Sequence, residues 1–77
     1  MRDYTALIET ELERAEKKFP TYPTDIIHQV SIMNEEAGET IRAALMYTYE
    51  NGSLDDIRTE IIQTAAMCLR WLRNNDQ

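Results

Sequence analysis

The amino-acid sequence predicts an all-α protein: a three-helix chain with a long central helix that associates with further copies into a helical bundle. Three observations carry that prediction. Apolar residues recur at a helical period in three stretches and nowhere with the alternation of a strand. Clusters of chain-breaking residues fall in two places, Pro20 to Pro23 and Asn51-Gly52-Ser53. The 77 residues include one cysteine, Cys68, so no disulfide framework supplements a small core and self-association is expected. Residues 1–77 are read as a single helical domain, with no repeat and no linker.

The first stretch runs from about Asp3 to Phe19. Tyr4, Leu7, Ile8, Leu12, Ala15 and Phe19 recur at helical spacing, and charged residues such as Glu9, Glu11, Arg14 and Lys17 fill the remaining face. Acids come early and bases late, which suits the helix dipole. Pro20 ends the helix, because its ring removes a backbone donor and clashes with the preceding turn.

The second stretch runs from about Thr24 to Tyr49, with Thr24 as the expected N-cap and Asp25 in the first turn. Ile26, Ile27, Val30, Met33, Ala37, Ile41, Ala44 and Leu45 form one broad apolar face. At ~1.5 Å per residue this helix is roughly 39 Å long. That exceeds what a compact monomer of this size needs and again points to a partner chain. The third stretch runs from about Leu54 to Asn74. Ser53 is its expected N-cap, and Asp56 three residues on approximates a capping box. Between Ile61 and Leu72 only Gln63, Thr64 and Arg70 are polar, so this helix is expected inside the bundle.

Charge narrows the function. Fourteen acidic residues against eight basic ones leave a formal net charge of −6. Nucleic-acid affinity comes mainly from neutralising phosphates, so this balance argues against such a partner, including a DNA-binding helix-turn-helix, and against an anionic membrane surface. The apolar stretches fall far short of the ~20 residues of a spanning helix. The start Met1-Arg2-Asp3-Tyr4 has no apolar signal-peptide core, and a lone cysteine suits a reducing, cytoplasmic setting.

The informative residues are Glu35, Glu36 and Glu39 on the second helix and Glu60 on the third. At 100° per residue, Glu36 and Glu39 stand about 60° apart and Glu35 and Glu39 about 40° apart, so all three project from one side and repel. Ile32, Ala43, Met46 and Tyr47 share that side, which lies roughly opposite the main apolar face. Partly buried carboxylates need paired charges or a metal. The short turn at Asn51 to Ser53 makes the second and third helices antiparallel neighbours, and brings Glu60 and Gln63 within about one helical turn of the level of Glu36 and Glu39. Oxygen ligands converging from two helices describe a Mg²⁺ or Mn²⁺ site, whereas zinc favours the histidine and thiol ligands missing here. A solvated acidic face is the competing reading of the same residues.

The pieces Glu35-Glu36-Ala37-Gly38-Glu39 and Glu60-Ile61-Ile62-Gln63 resemble the signature of the all-α nucleotide pyrophosphohydrolases of the MazG type: Glu-x-x-Glu, a gap of a dozen to about thirty residues, then Glu-x-x-Asp. The likeness is to the short MazG-like proteins of bacteriophages and prophages, which share a stretch like Glu13-Arg14-Ala15-x-x-Lys18-Phe19 and a tail like Glu60 to Ala66 ending near Trp71-Leu72. It extends from about Glu11 to Leu72. The resemblance implies a dimeric or tetrameric bundle in the cytoplasm of a bacterial or phage-infected cell. It implies Mg²⁺-dependent hydrolysis of a nucleoside or deoxynucleoside triphosphate to the monophosphate and pyrophosphate. Glu36, Glu39 and Glu60 would be metal ligands, and Glu35 would bind metal or orient the attacking water as general base.

Gln63 departs from the signature, which usually has Asp. An amide oxygen can still ligate Mg²⁺, though it is neutral and binds more weakly; Asp56, one turn earlier on the same stripe, would partly compensate. The alternative function is a catalytically weak or inactive bundle that binds a nucleotide or a protein. Arg70 shares the Glu60 stripe and is the candidate for meeting a substrate phosphate or pairing with an acid. Gly38, inside a helix where it costs ~1 kcal/mol relative to Ala, suggests close approach of a neighbouring helix or a phosphate. His28 lies two turns before Glu35 and is read as outside the site. Phe19, Tyr22, Tyr47, Trp71 and Cys68 are read as core.

Overall fold

The computed structural model describes residues 1–77 and contains three helices and no strand: α1 (Tyr4–Lys18), α2 (Ile26–Tyr49) and α3 (Leu54–Asn74). Local chemistry sets their ends. The Asp3 carboxylate accepts the Ala6 N–H at 3.1 Å and caps α1. Phe19 closes that helix, just before Pro20, by donating its N–H to the Ala15 carbonyl. Asp25 caps α2, its carboxylate accepting the His28 N–H at 3.0 Å. Thr24 does not take this place. An aspartate caps better than a threonine and its charge suits the positive end of the helix dipole, so α2 starts one residue later than its punctuation suggests. Ser53 caps α3 as expected, its Oγ accepting the Asp56 N–H at 3.1 Å.

The α2–α3 turn is tight. Asn51 takes a φ of 64°, in the left-handed region that asparagine tolerates. The Gly52 N–H donates to the Met46 carbonyl at 3.0 Å. A Cβ on Gly52 would lie 3.1 Å from the backbone carbon of Met46 and the backbone nitrogen of Tyr47, so a side chain there would crowd the turn. This reversal sends α3 back along α2.

The third helix is central. It packs against both α1 and α2, while α1 and α2 make no close backbone approach to each other. Within the chain α3 is therefore the middle helix, as its wide apolar belt suggests. Leu12 and Ala15 of α1 and Ala66 of α3 are the buried apolar residues. Arg73 near the end of α3 grips Glu9 of α1 through two N–H donors, at 2.6 and 3.1 Å. Buried Gln29 holds the segment before α2 by donating to the Pro23 carbonyl at 2.6 Å, and accepts from Asn75 at 3.1 Å.

The second helix is turned in a way its composition does not suggest. Its buried and half-buried positions are Gln29, Ile32, Met33, Glu36, Ala37, Thr40, Ala43 and Ala44, so Glu36 is drawn inward beside one edge of the apolar face while Glu35 and Glu39 are exposed. Much of the broad apolar face is left in the open: Ile27 is 76% exposed and Ile41 65%, with Ile26, Val30 and Leu45 exposed beside them. The whole chain reflects this. Its accessible surface is 5868 Å², against about 4850 Å² expected for a compact monomer of its mass. Its radius of gyration is 13.5 Å, against about 11.5 Å expected for its length. No helix is long and apolar enough to cross a membrane.

Candidate metal centre

Glu36 and Glu39 project from α2 and Glu60 from α3. One carboxylate oxygen of each lies within 4.8 Å of the others. The one-turn difference in level along the two helices is thus spanned by the side chains. A pair of threonines ties the helices together beside the acids. Thr40 follows Glu36 by one turn and donates to its carbonyl at 3.1 Å; Thr64 follows Glu60 by one turn and donates to its carbonyl at 2.8 Å. The two hydroxyl oxygens meet at 3.2 Å across the α2–α3 interface. Each has one hydrogen, so these three contacts share two protons between them.

The electrostatics of the cluster are unfavourable as it stands. Burial raises the Glu36 carboxyl above the usual carboxylate range, and the charges of Glu39, Glu11 and Glu35 raise it further, with Arg14 opposing. Burial also raises Glu60, reinforced by Glu39, Glu36 and a hydrogen bond to Glu39 that needs the Glu60 proton. Oε2 of Glu36 and Oε2 of Glu60 are both buried and have no hydrogen-bond partner. None of the chain's ion pairs involves the three acids: they join Arg2 and Arg58 to Asp55, Arg14 to Glu11 and Arg73 to Glu9. Buried acceptors of this kind normally find a partner.

A divalent cation fits what is missing. It would sit among three oxygens from two helices, satisfy the orphaned atoms and cancel repulsion. An octahedral Mg²⁺ at ~2.1 Å spaces its ligand oxygens about 3.0–4.2 Å apart, which a small rotation of the glutamate side chains reaches from 4.8 Å. All-oxygen ligands suit Mg²⁺ or Mn²⁺.

The other expected site residues lie beside the cluster. Glu35 and Gln63 line a cleft of about 610 Å³ between α1, α2 and α3, together with Glu36. Glu36 therefore belongs to both the cluster and the cleft. Gln63 is half-buried there and Glu35 is exposed. Asp56 lines a smaller recess with Glu39, Arg42 and Glu60.

Arg70 also lines the cleft, but it pairs with no acid. It is 6% exposed, donates through Nη2 to the Phe19 carbonyl at 2.7 Å and lies over the Tyr22 ring at 4.8 Å. One part of its guanidinium therefore anchors the α1–α2 connection. Burial raises the Tyr22 hydroxyl pKa, and the Arg70 charge opposes that rise.

Some residues take places the sequence did not suggest. His28, two turns from Glu35 on the same side of α2, lines the cleft with it. Phe19 is 58% exposed and Tyr47 45% exposed, so neither is core; Tyr22, Cys68 and Trp71 are half-buried. Glu11, whose place in the sequence suggests only the solvated face of α1, also joins the site. It faces the cleft from α1, paired with Arg14 at 2.6 and 3.0 Å, and adds its charge to Glu36. The Glu11–Arg14 spacing signals only a helix-surface pair, and nothing in it shows which way the pair faces. No protein-family model, curated protein or solved structure matches this chain.

Proposed function

We propose that the chain is a Mg²⁺-dependent nucleotide pyrophosphohydrolase of the MazG-like kind. It would cleave a nucleoside or deoxynucleoside triphosphate to the monophosphate and pyrophosphate, control a cytoplasmic nucleotide pool, and work as a homodimer or homotetramer. The observation that carries the reading is the trio of Glu36, Glu39 and Glu60, drawn from two helices to within 4.8 Å, with two buried oxygens lacking any partner. The resemblance of Glu35-Glu36-Ala37-Gly38-Glu39 and Glu60 to the family signature supports it. The exposed apolar face of α2 supports the oligomer.

Glu36, Glu39 and Glu60 would hold Mg²⁺, or Mn²⁺ in its place. The cation supplies charge neutralisation and polarisation of a phosphoryl group. Glu35, exposed beside Glu36 on the cleft, would take the proton of a water attacking the α-phosphorus as the bond to the pyrophosphate oxygen breaks. Gln63 offers the cleft a neutral amide, and its oxygen is an additional candidate ligand. Arg70 would meet a phosphate only with the part of its guanidinium not engaged by Phe19.

Release of pyrophosphate from a panel of nucleoside and deoxynucleoside triphosphates with Mg²⁺ or Mn²⁺ tests the reading. Turnover is expected and should fall at least ~100-fold in Glu36→Gln, because a cation ligand is lost. No turnover, and none gained in Gln63→Asp, overturns it. The neutral amide of Gln63 favours a second reading, a bundle that binds a nucleotide or a protein without hydrolysis; cation-dependent nucleotide binding with no turnover in either form is its mark.

A further inference from the structure

We infer that the exposed apolar face of α2 seats a second copy of this chain, crossing antiparallel about a two-fold axis at Ala37–Gly38. The inference rests on the oligomer proposed above and adds to it a surface, a direction and a register. It is independent of catalysis.

The face is uncharged. Ile26, Ile27, Val30, Ile41 and Leu45 stand exposed along it, and the positions between them, among them Ser31, Asn34 and Thr48, carry no charge either. Round the helix from Glu36 to Arg42, about 240° of the circumference carries no charged residue in a chain of net charge −6. A charged partner would find no complement there, whereas a second copy meets no repulsion. The chain as a whole exposes roughly 1000 Å² more than a compact monomer of its mass, the order of the ~800 Å² that a standard interface takes from each partner, and the exposed residues of this face contribute to that excess.

Gly38 supplies an independent observation. It lies at the middle of the 24-residue helix, and a Cβ there would meet nothing within 4 Å. Nothing inside this chain therefore calls for a glycine at a position where any residue but proline would favour the helix more. Ala37 and Gly38 together leave room for the backbone of another helix to cross.

A two-fold axis at that midpoint sets the register. Val30 and Leu45 are equally distant from it, so each faces the other's equivalent across the interface; Asn34 and Ile41 do the same. Val30 borders a shallow groove of about 320 Å³ whose other walls are Met33, Cys68, Trp71 and Leu72, all apolar. The partner's Leu45 is the side chain this register delivers to the groove. Antiparallel crossing also opposes the two helix dipoles, the favourable side-by-side arrangement.

Sedimentation equilibrium on the full chain and on Gly38→Ala, with helicity followed by circular dichroism, is the first arm of the test. The chain is expected to dimerise, and Gly38→Ala to remain fully helical while its dimer dissociation constant rises about tenfold. A chain that stays monomeric at every concentration overturns the inference and leaves the face to a different occupant. Undiminished dimerisation of Gly38→Ala overturns the crossing point. The second arm uses mild oxidation in a Cys68→Ala background. A mixture of Val30→Cys and Leu45→Cys chains is expected to form covalent heterodimers, and either variant alone to form few. Crosslinking of Val30→Cys to itself overturns the antiparallel direction. A dimer that crosslinks in neither way overturns the register while the oligomer itself stands, and neither result bears on turnover.

Discussion

The two sides of α2 depart from the usual division between core and surface. One side carries Glu36 and Thr40 and is pressed against α3; the other carries Ile27, Val30 and Ile41 and is left open. A helix folded for burial alone would be rotated the other way, since a fully buried aliphatic side chain contributes ~1.5–3 kcal/mol. The difference teaches that both sides are unfinished in the single chain. Glu36 on the inward side, with Glu39 at its edge and Glu60 of α3, lacks a counter-charge, and the outward side lacks an apolar surface to cover it. On the proposed reading a cation would supply the first and a second copy the second, and the orientation of α2 is the feature both would explain.

The largest expected effect tests the inward side. Cation in excess should stabilise the protein by about 2.7 kcal/mol at a hundred times its dissociation constant, a rise of roughly 10 °C or more in Tm for a domain of this size. Differential scanning calorimetry with Mn²⁺ or Mg²⁺ measures it. Glu36→Gln combined with Glu39→Gln should abolish the rise. If the full chain shows no rise at millimolar cation, the inward acids are a crowded face and the contrast between the two sides loses half its meaning.

The outward side predicts a different signature. Where folding and association are coupled, each tenfold rise in chain concentration stabilises a dimer by about 1.4 kcal/mol per mole of dimer. Tm should therefore climb with concentration. Ile41→Asp places a charge in the middle of the open face and should flatten that dependence without removing the cation-induced rise. A loss of both responses in Ile41→Asp would mean that the two sides are not separable.

A smaller effect sharpens the account of the acids themselves. In the cation-free protein, Glu60→Gln removes an acid with one buried, partnerless oxygen and gives Glu39 a neutral donor, so a gain in stability is expected at neutral pH. The pH dependence follows from the sign. The carboxyl of Glu60 is raised in the folded chain, so protonation favours folding. Its contribution is complete below the pKa of the unfolded chain and is lost as pH rises through the higher folded value. Denaturation of the two forms across pH should show their difference in stability widening over that window and level above it. Glu9, held low by Arg73, acts with the opposite sign but is common to both proteins and cancels in the comparison.

Much of this was legible in the residues. Pro20 and Asn51-Gly52-Ser53 mark the three helices because proline and tight turns act locally, and Ser53 caps α3 through a bond three residues long. The meeting of Glu36, Glu39 and Glu60 follows from helical period and one short turn. The placing of α1 does not. It is decided by contacts between distant residues, such as Arg70 with the Phe19 carbonyl and Arg73 with Glu9. Glu11 therefore enters the site unannounced, and Arg70, read as a phosphate or acid partner, is found holding a carbonyl. The orientation of α2 was half visible: the acids shared their side with Ile32 and Ala43, yet the apolar side had the stronger claim to the core.

The smallest effect concerns what keeps the inward side in register. Thr40→Val removes the hydroxyl that meets Thr64 and leaves the volume nearly unchanged, so about 0.5–1.5 kcal/mol should be lost. Thr64→Val should cost a similar amount. If the contact acts as a pair, the double variant should be less destabilised than the sum, because replacing both partners by apolar groups of the same shape leaves neither hydroxyl unmatched. Urea denaturation of the four proteins closes the cycle. Mn²⁺ affinity measured on the same four gives the functional reading. A pair that only packs the helices would leave affinity unmoved. A pair that sets the level of Glu36 against Glu60 would weaken it in each variant, including the double one, because the carbonyls of both glutamates lose their threonine donors and the acids are freer to drift apart.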